Sequence, residues 1–193
     1  MKEIIRQLMA TAPSTRDEVL SDKCPVPKEP GLYGWWFRSI PGSIDASKCR
    51  QNNGLTLLYA GISPSRPPRN GKSPSRQNLR KRIVYHYRGN AEGSTLRLSL
   101  GVLLSKELDI KLRRVGSGKR MTFGPEGEAK LSEWMSRNAY VSWVSHAQPW
   151  EPEDELIAHL DLPINLQGNS HNRFYRELKR LRKEARDDAE ETG

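Results

Sequence analysis

The sequence predicts an α+β fold in which a small, mostly antiparallel three-stranded sheet is flanked by helices. Short segments that are rich in aromatic and β-branched residues and bounded by turn residues are typical of strands. Three such segments occur, at residues 31–37, 56–62 and 140–144. Segments with helical periodicity lie around them without a regular β-α-β-α alternation, which disfavours a parallel sheet.

The helices are predicted from apolar residues spaced three and four positions apart. Residues 1–20 carry such a stripe, which Pro13 interrupts, and Gly89 is expected to end the helix that follows the second strand. Helices are predicted at 77–88, 94–108, 126–138, 152–160 and 172–187, and a hairpin at 110–123. The segment 63–76 is rich in Pro, Ser and Arg and is predicted to be a loop.

The composition favours a soluble protein with a polyanionic partner. There are 32 Lys and Arg residues against 23 Asp and Glu residues, a net charge of +9, and such a surplus is typical of proteins that bind polyanions. The alternative is a basic protein without such a partner. Cys24 and Cys49 lack the spacing of a thiolate zinc site, so free thiols are expected. The N-terminus lacks the apolar stretch of a secretory signal and no run is long enough to span a membrane, so we expect a cytoplasmic protein.

Charged groups lie on the apolar faces of two predicted helices. Arg82 and His86 share the i, i+3, i+4, i+7 face of Leu79 and Ile83, and Glu153 shares the face of Leu156, Ile157 and Leu160. Charged side chains are rarely buried unless they are paired or coordinated. A buried Arg82–Glu153 salt bridge, side chains that reach past the edge of the core, or an ordinary core histidine would also explain this pattern.

Two strand tyrosines could join this polar cluster. Because side chains alternate across a strand, Tyr33 lies opposite Leu32, and Tyr59 opposite Leu58, Ala60 and Ile62. If the leucine faces pack into the core, both phenols stand on the other face of a paired hairpin. Tyrosine is also a common residue in strands for structural reasons alone.

These residues resemble the motifs of the GIY-YIG nucleases. Gly31-Leu32-Tyr33 and Tyr59-Ala60-Gly61 are similar to the first two motifs, although Leu and Ala replace Ile. Asn78 to His86 resembles the following helix, with its Arg and its His one turn later, and Glu153 with Pro163-Ile164-Asn165 resembles the late motifs. The long gap between the first two motifs and the segment 94–101 are similar to the type II restriction endonucleases of the family.

The resemblance implies a metal-dependent endonuclease that hydrolyses DNA, of restriction type or from a defence system or mobile element. It implies that Glu153 holds Mg²⁺ or Mn²⁺, with Glu151 and Glu155 as nearby alternatives. It further implies a general base at Tyr33, a phosphate ligand at Arg82, and supporting roles for His86, Tyr59 and Asn165. We expect a nuclease domain at 31–169 with inserted basic loops, preceded by a helix and lead-in at 1–30 and followed by a basic helix and acidic tail at 170–193.

Contacts to the DNA backbone are expected from basic residues outside this cluster. The loop contributes Arg66, Arg69, Lys72 and Arg76, and the C-terminal helix contributes Arg173, Arg176, Lys179 and Arg180. Arg113, Arg114, Lys119 and Arg120 form a third basic cluster. A solvated loop and a helix stabilised by its own i, i+4 pairs are the alternatives.

Two functional alternatives remain open from the sequence. The chain could be a catalytically silent nucleic-acid-binding module on the same fold, or a nuclease for branched, damaged or RNA substrates. A palindromic double-stranded target would require a homodimer, because one active site cuts one strand.

Overall fold

The computed structural model describes residues 2–68, 75–116 and 119–191, and it has the predicted α+β architecture. The strands are β1 (Gly31–Phe37), β2 (Gln51–Asn52), β3 (Leu55–Ser63), β4 (Arg113–Arg114), β5 (Met121–Thr122) and β6 (Ala139–Ser145). The helices are α1 (Lys2–Ala10), α2 (Arg16–Leu20), α3 (Leu79–Arg88), α4 (Thr95–Leu103), α5 (Ser105–Leu108), α6 (Gly124–Asn138), α7 (Glu153–His159) and α8 (Tyr175–Glu191).

The main sheet is antiparallel and has the strand order β2-β3-β1-β6. The three predicted strands are present, and the short strand β2 adds a fourth that the sequence did not predict. It forms because Asn53 and Gly54 both adopt positive φ angles, 49° and 74°. This conformation suits a tight hairpin turn, and Asn-Gly is the pair that adopts it most readily.

Both faces of the sheet are covered, since all seven residues of β1 are buried. Leu32, Trp36 and Leu57 lie in one apolar cluster with residues of α1 and α7. Tyr33 and Tyr59 lie in the other cluster, with residues of α3, α4 and α6. The two phenols therefore share a face, as predicted.

One detail of the strand pattern was predicted wrongly. A register shift between Trp35 and Trp36 pairs Trp35 with Tyr59 but Trp36 with Leu57. Such an irregularity breaks the simple alternation of side chains. As a result Leu58 packs in the same cluster as Tyr59, not opposite to it.

The helices differ from the prediction mainly in that two predicted segments are each divided into two helices. The stripe in residues 1–20 is split into α1 and α2, because Ser14 pairs with Val141 and Thr15 starts α2 with a capping box formed with Glu18. The predicted helix at 94–108 is α4 followed by the short α5. The basic hairpin is confirmed as β4–β5.

Cys24 and Cys49 are free thiols, as expected. No helix in the described ranges has the length and apolar character needed to cross a membrane.

Candidate active site

Helix α3 presents two of its polar residues to the sheet. Its start is fixed by Asn78, whose side chain accepts a hydrogen bond from the Lys81 N–H at 3.0 Å. Leu79, Ile83 and His86 are fully buried, and Arg82 is half-buried. The helical face predicted from the spacing is therefore confirmed, and it packs against the face of the sheet that carries the tyrosines.

A hydrogen-bonded chain links the first strand to this helix. The Tyr33 hydroxyl lies 3.0 Å from Nε2 of His86, and Nδ1 of His86 lies 2.7 Å from the Ser94 hydroxyl. The Ser94 oxygen also accepts a hydrogen bond from the Arg97 N–H at 3.1 Å. Sequence reasoning missed Ser94, although a serine directly before an apolar helical segment is a typical helix cap.

The absence of a side chain at Gly61 makes room for Tyr33. The two residues are paired across β1 and β3, and a Cβ atom on Gly61 would lie only 2.6 Å from the Tyr33 hydroxyl oxygen. The glycine of the second motif therefore has a local steric reason, which is the close approach of the phenol to the backbone.

Arg82 interacts with the same phenol. Its Nη1 donates to the carbonyl oxygen of Gly93 at 2.9 Å, and the guanidinium also interacts with the Tyr33 hydroxyl. No carboxylate in the described part of the chain lies within ion-pair distance of Arg82. The alternative of a buried Arg82–Glu153 salt bridge is therefore wrong.

Tyr59 lies at the edge of the same cluster. Its ring centroid is 6.3 Å from that of His86, and its hydroxyl lies 3.2 Å from Oγ1 of Thr95 at the start of α4. Only 8% of its surface is exposed. Two phenols, an imidazole and a guanidinium thus meet where β1, β3 and α3 come together.

Glu153 is the first residue of α7 and lies close enough to Tyr33 to raise the pKa of that phenol. It is half-buried, whereas Glu151 and Glu155 are exposed. Leu156, Ile157 and Leu160 on the same helical face are buried, as the spacing predicted. Burial raises the pKa of Glu153, with a further rise from Asp154, and nearby Arg66 opposes it.

The protonation states of this cluster follow from burial. Burial raises the pKa of Tyr33 above its usual value near 10, Tyr59 raises it further, and Arg82 lowers it without reversing the shift. Burial also holds the pKa of His86 well below 6.5, and the cations Arg82 and Arg97 lower it further. At neutral pH His86 is uncharged and Tyr33 keeps its proton.

The model of the GIY-YIG catalytic domain matches residues 31–184, which are most of the chain. The chain belongs to the GIY-YIG nuclease family. Comparisons with curated proteins and with solved structures gave no match. Nucleases of this family generally depend on a divalent metal, and the domain implies endonuclease activity on DNA.

The GIY-YIG site of this chain fits a metal held by one carboxylate. Among the residues that the structure describes, no three His, Cys, Asp or Glu side chains converge on a possible metal position. Mg²⁺ commonly binds through one or two carboxylates and keeps several waters, and substrate phosphates complete its coordination. A single half-buried Glu153 near Tyr33 is compatible with this mode of binding.

Asn165 binds the backbone edge of β3 next to Tyr59. Its Oδ1 accepts from the Ala60 N–H at 2.9 Å, and its Nδ2 donates to the Ala60 carbonyl oxygen at 2.7 Å. Both polar atoms of the amide are thus used by the backbone next to Tyr59. We interpret Asn165 as a positioning residue for Tyr59.

A buried ion pair supports the helices around the cluster, and sequence reasoning missed it. Arg97 is fully buried, and its guanidinium donates to the Glu128 carboxylate at 2.6 Å and to the carbonyl oxygens of His86 and Tyr87 at 3.4 and 3.3 Å. The end of α3 is therefore tied to α4 and α6. A charged residue inside an apolar segment was the available signal.

The residues predicted to contact DNA lie in different environments. Arg173 forms ion pairs with Asp45 and Asp161, and Arg180 forms ion pairs with Glu177 and Glu184. Four others are exposed: Arg66, Arg76, Arg176 and Lys179. Of these, Lys179 lies over the Tyr175 ring, and Arg66 donates to the Trp150 carbonyl oxygen at 3.2 Å. Arg69 and Lys72 lie outside the described residues.

Proposed function

We propose that this chain is a Mg²⁺-dependent endonuclease that cuts double-stranded DNA at defined sites, as a restriction or defence enzyme. The observation that supports it most is the position of the Tyr33 hydroxyl, which is hydrogen-bonded to His86 and acted on by Arg82 while Glu153 lies nearby. In this proposal these groups serve as the proton acceptor, the phosphate ligand and the metal ligand that phosphodiester hydrolysis needs.

In this proposal Tyr33 takes the proton of the attacking water while its own hydroxyl proton passes to Nε2 of His86, 3.0 Å away, which relays it. Neutral His86 accepts the hydrogen bond of the Tyr33 hydroxyl through Nε2, which leaves the phenol oxygen free to accept one from water. A divalent ion bound to Glu153 would lower the pKa of nearby water and neutralise charge on the phosphate. Arg82 by itself does not lower the pKa of Tyr33 below the usual value, so the base role requires this additional positive charge.

Arg82 and Tyr59 orient the phosphate in the same scheme. The planar guanidinium of Arg82 suits two oxygens of a phosphate. It is held in place by the carbonyl oxygen of Gly93, so little conformational entropy is lost when the phosphate binds. The Tyr59 hydroxyl faces Thr95 and would donate to a non-bridging phosphate oxygen.

The test compares wild type with Glu153→Gln on plasmid, phage genomic DNA and RNA in the presence of Mg²⁺. We expect discrete fragments from the DNA substrates with wild type and none with Glu153→Gln. Glu155→Gln is the matched control, because this neighbour is exposed and lies on the same helix, and it should cut at the wild-type rate.

Each other outcome points to a different function. Smeared DNA products would exclude a site-specific restriction role, and cleavage of RNA alone would replace DNA as the substrate. Tight DNA binding without cleavage in Mg²⁺ or Mn²⁺ would favour a silent binding module. Retained cleavage by Glu153→Gln would exclude this residue as the metal ligand.

The oligomeric state is tested with the same substrates. A palindromic recognition sequence would require two active sites related by a two-fold axis, so we propose a homodimer on DNA for that case. Sedimentation of the DNA complex of Glu153→Gln measures it, and a monomer that cuts both strands of a palindrome would exclude the homodimer.

A further inference from the structure

A basic cavity next to the active site contains cations that have no described acidic partner. It has a volume of about 290 Å³ and is lined by Thr95, Glu92, Lys119, Arg182 and Arg186, with apolar residues around them. By volume it could hold about ten waters, which is more space than a phosphate group needs. We call it the basic cavity.

The basic cavity is connected to the catalytic cluster through Thr95. This residue lines the cavity and its hydroxyl lies 3.2 Å from that of Tyr59. Arg182 of α8 contacts α4 one helical turn beyond Thr95, where its Nη1 is 3.4 Å from the Ser99 hydroxyl. Tyr59 is also close enough to Arg182 to oppose the lowering of the pKa of this guanidinium.

The positive charges of the basic cavity are not balanced by carboxylates among the described side chains. In the described side chains no carboxylate lies within 4 Å of the charged nitrogens of Lys119, Arg182 or Arg186. Glu92 is the acidic residue in the lining, and its carboxylate accepts a hydrogen bond from the Met121 N–H at 2.9 Å. Burial and the nearby charge of Arg186 lower the pKa of Arg182 to about 10, so a bound anion would relieve an unfavourable arrangement.

The neighbouring basic residues of α8 are different. Arg180 is exposed and its guanidinium is shared between Glu177 at 2.7 Å and Glu184 at 2.5 Å. Arg173, which precedes α8, is likewise paired with Asp45 at 2.7 Å. The sequence alone could not separate these paired arginines from Arg182, because all of them fall within the basic helix predicted at 172–187.

We propose that the basic cavity binds a backbone phosphate of the DNA strand next to the scissile phosphate, with Arg182 and Arg186 as its main ligands. This proposal rests on the proposed function for the identity of the substrate. Arginine suits the role because its guanidinium donates two parallel hydrogen bonds to phosphate oxygens. A second phosphate held beside Tyr59 would fix the position of the scissile bond without reading its sequence.

The first experiment measures DNA binding without cleavage. Binding of a short fluorescent duplex to Glu153→Gln protein is followed in EDTA over a series of KCl concentrations. Adding Arg182→Gln should weaken binding about tenfold at low salt and reduce the slope of log K against log[salt] by about 0.9, the value for one lost phosphate contact. Arg182→Lys should keep most of the slope, because it keeps the charge.

Arg137→Gln is the matched control, because it removes the same charge from an exposed position of α6 that is already paired with Glu133. We expect its slope to equal that of the parent protein. Equal slopes for Arg182→Gln and Arg137→Gln would overturn the proposal. If Arg182→Gln lowers the melting temperature strongly, Arg186→Gln replaces it, since Arg186 is exposed and its loss should leave the fold intact.

The second experiment tests the position of the site and needs the mapped cut position. A single methylphosphonate next to the scissile phosphate should slow cleavage by wild type but not slow Arg182→Gln any further. If the methylphosphonate and Arg182→Gln slow cleavage additively, Arg182 contacts the DNA at a different phosphate. Wild-type protein that binds DNA with an Arg182-dependent slope but never cuts it would support the basic cavity and overturn only the nuclease proposal.

Discussion

Replacing Asn165 by alanine should destabilise the protein by about 3 kcal/mol. The Asn165 amide makes two hydrogen bonds, of 2.9 and 2.7 Å, to the backbone of Ala60. Ala60 is 1% exposed, and β2 is too short to pair with it, since its register covers only Gln51 and Asn52. The amide therefore takes the place of a missing neighbouring strand.

The magnitude follows from the groups that lose their partners. Each buried polar group left without a hydrogen bond costs about 1–3 kcal/mol, and Asn165→Ala leaves both the N–H and the carbonyl of Ala60 unpaired. For a chain of this length about 3 kcal/mol corresponds to a fall in Tm of about 6–12 °C. Asn165→Asp should be at least as harmful, because a carboxylate would face the Ala60 carbonyl oxygen.

Differential scanning calorimetry measures the effect, with Asn138→Ala as the control. The Asn138 side chain donates to the Trp134 carbonyl oxygen within its own helix at 3.0 Å, so the loss of this hydrogen bond should cost less than about 1 kcal/mol. DNA cleavage is measured below the Tm of each variant. A Tm of Asn165→Ala within about 2 °C of wild type would refute this reasoning, and lost cleavage at an unchanged Tm would show that Asn165 acts directly in catalysis.

Three further predictions concern the same cluster. Gly61→Ala should reduce kcat at least about tenfold, because its Cβ would lie 2.6 Å from the Tyr33 hydroxyl oxygen; an unchanged kcat would mean that this hydroxyl needs no fixed position. Arg97→Met should lower the free energy of unfolding by about 3–5 kcal/mol in denaturant unfolding, because it leaves the Glu128 carboxylate unpaired. The control is Glu133→Gln, which removes an exposed ion pair from the helix of Glu128 and should cost less than about 1 kcal/mol. Burial holds the pKa of His86 well below 6.5 in the folded state, so its contribution to stability is present above about pH 6.5 and is lost as the pH falls below it. The Tm advantage of wild type over His86→Gln should therefore shrink between about pH 7 and pH 5, and an advantage that grows in acid would show that the folded protein prefers the charged imidazole.

The sequence determined the local elements and which residues share a face. The strand bounds of β1 follow from an aromatic segment between turn residues, and the inward face of α3 follows from the spacing of Leu79 and Ile83. These features depend on periodicities of 2.0 and 3.6 residues, which are properties of the backbone. For the same reason Arg82, His86 and Glu153 could be recognised as polar residues on apolar faces.

The tertiary structure decided which of these groups are in contact and how they are charged. The hydrogen bond between Tyr33 and His86 joins residues 53 positions apart, and the pairing of Asn165 with Ala60 spans 105 positions. No local pattern specifies such distances. The same is true of the helix α8, where Arg180 is neutralised by its own helix while Arg182 faces the basic cavity. Ionisation also depends on burial and on neighbours from other elements, because desolvation and nearby charge act through space and not along the chain.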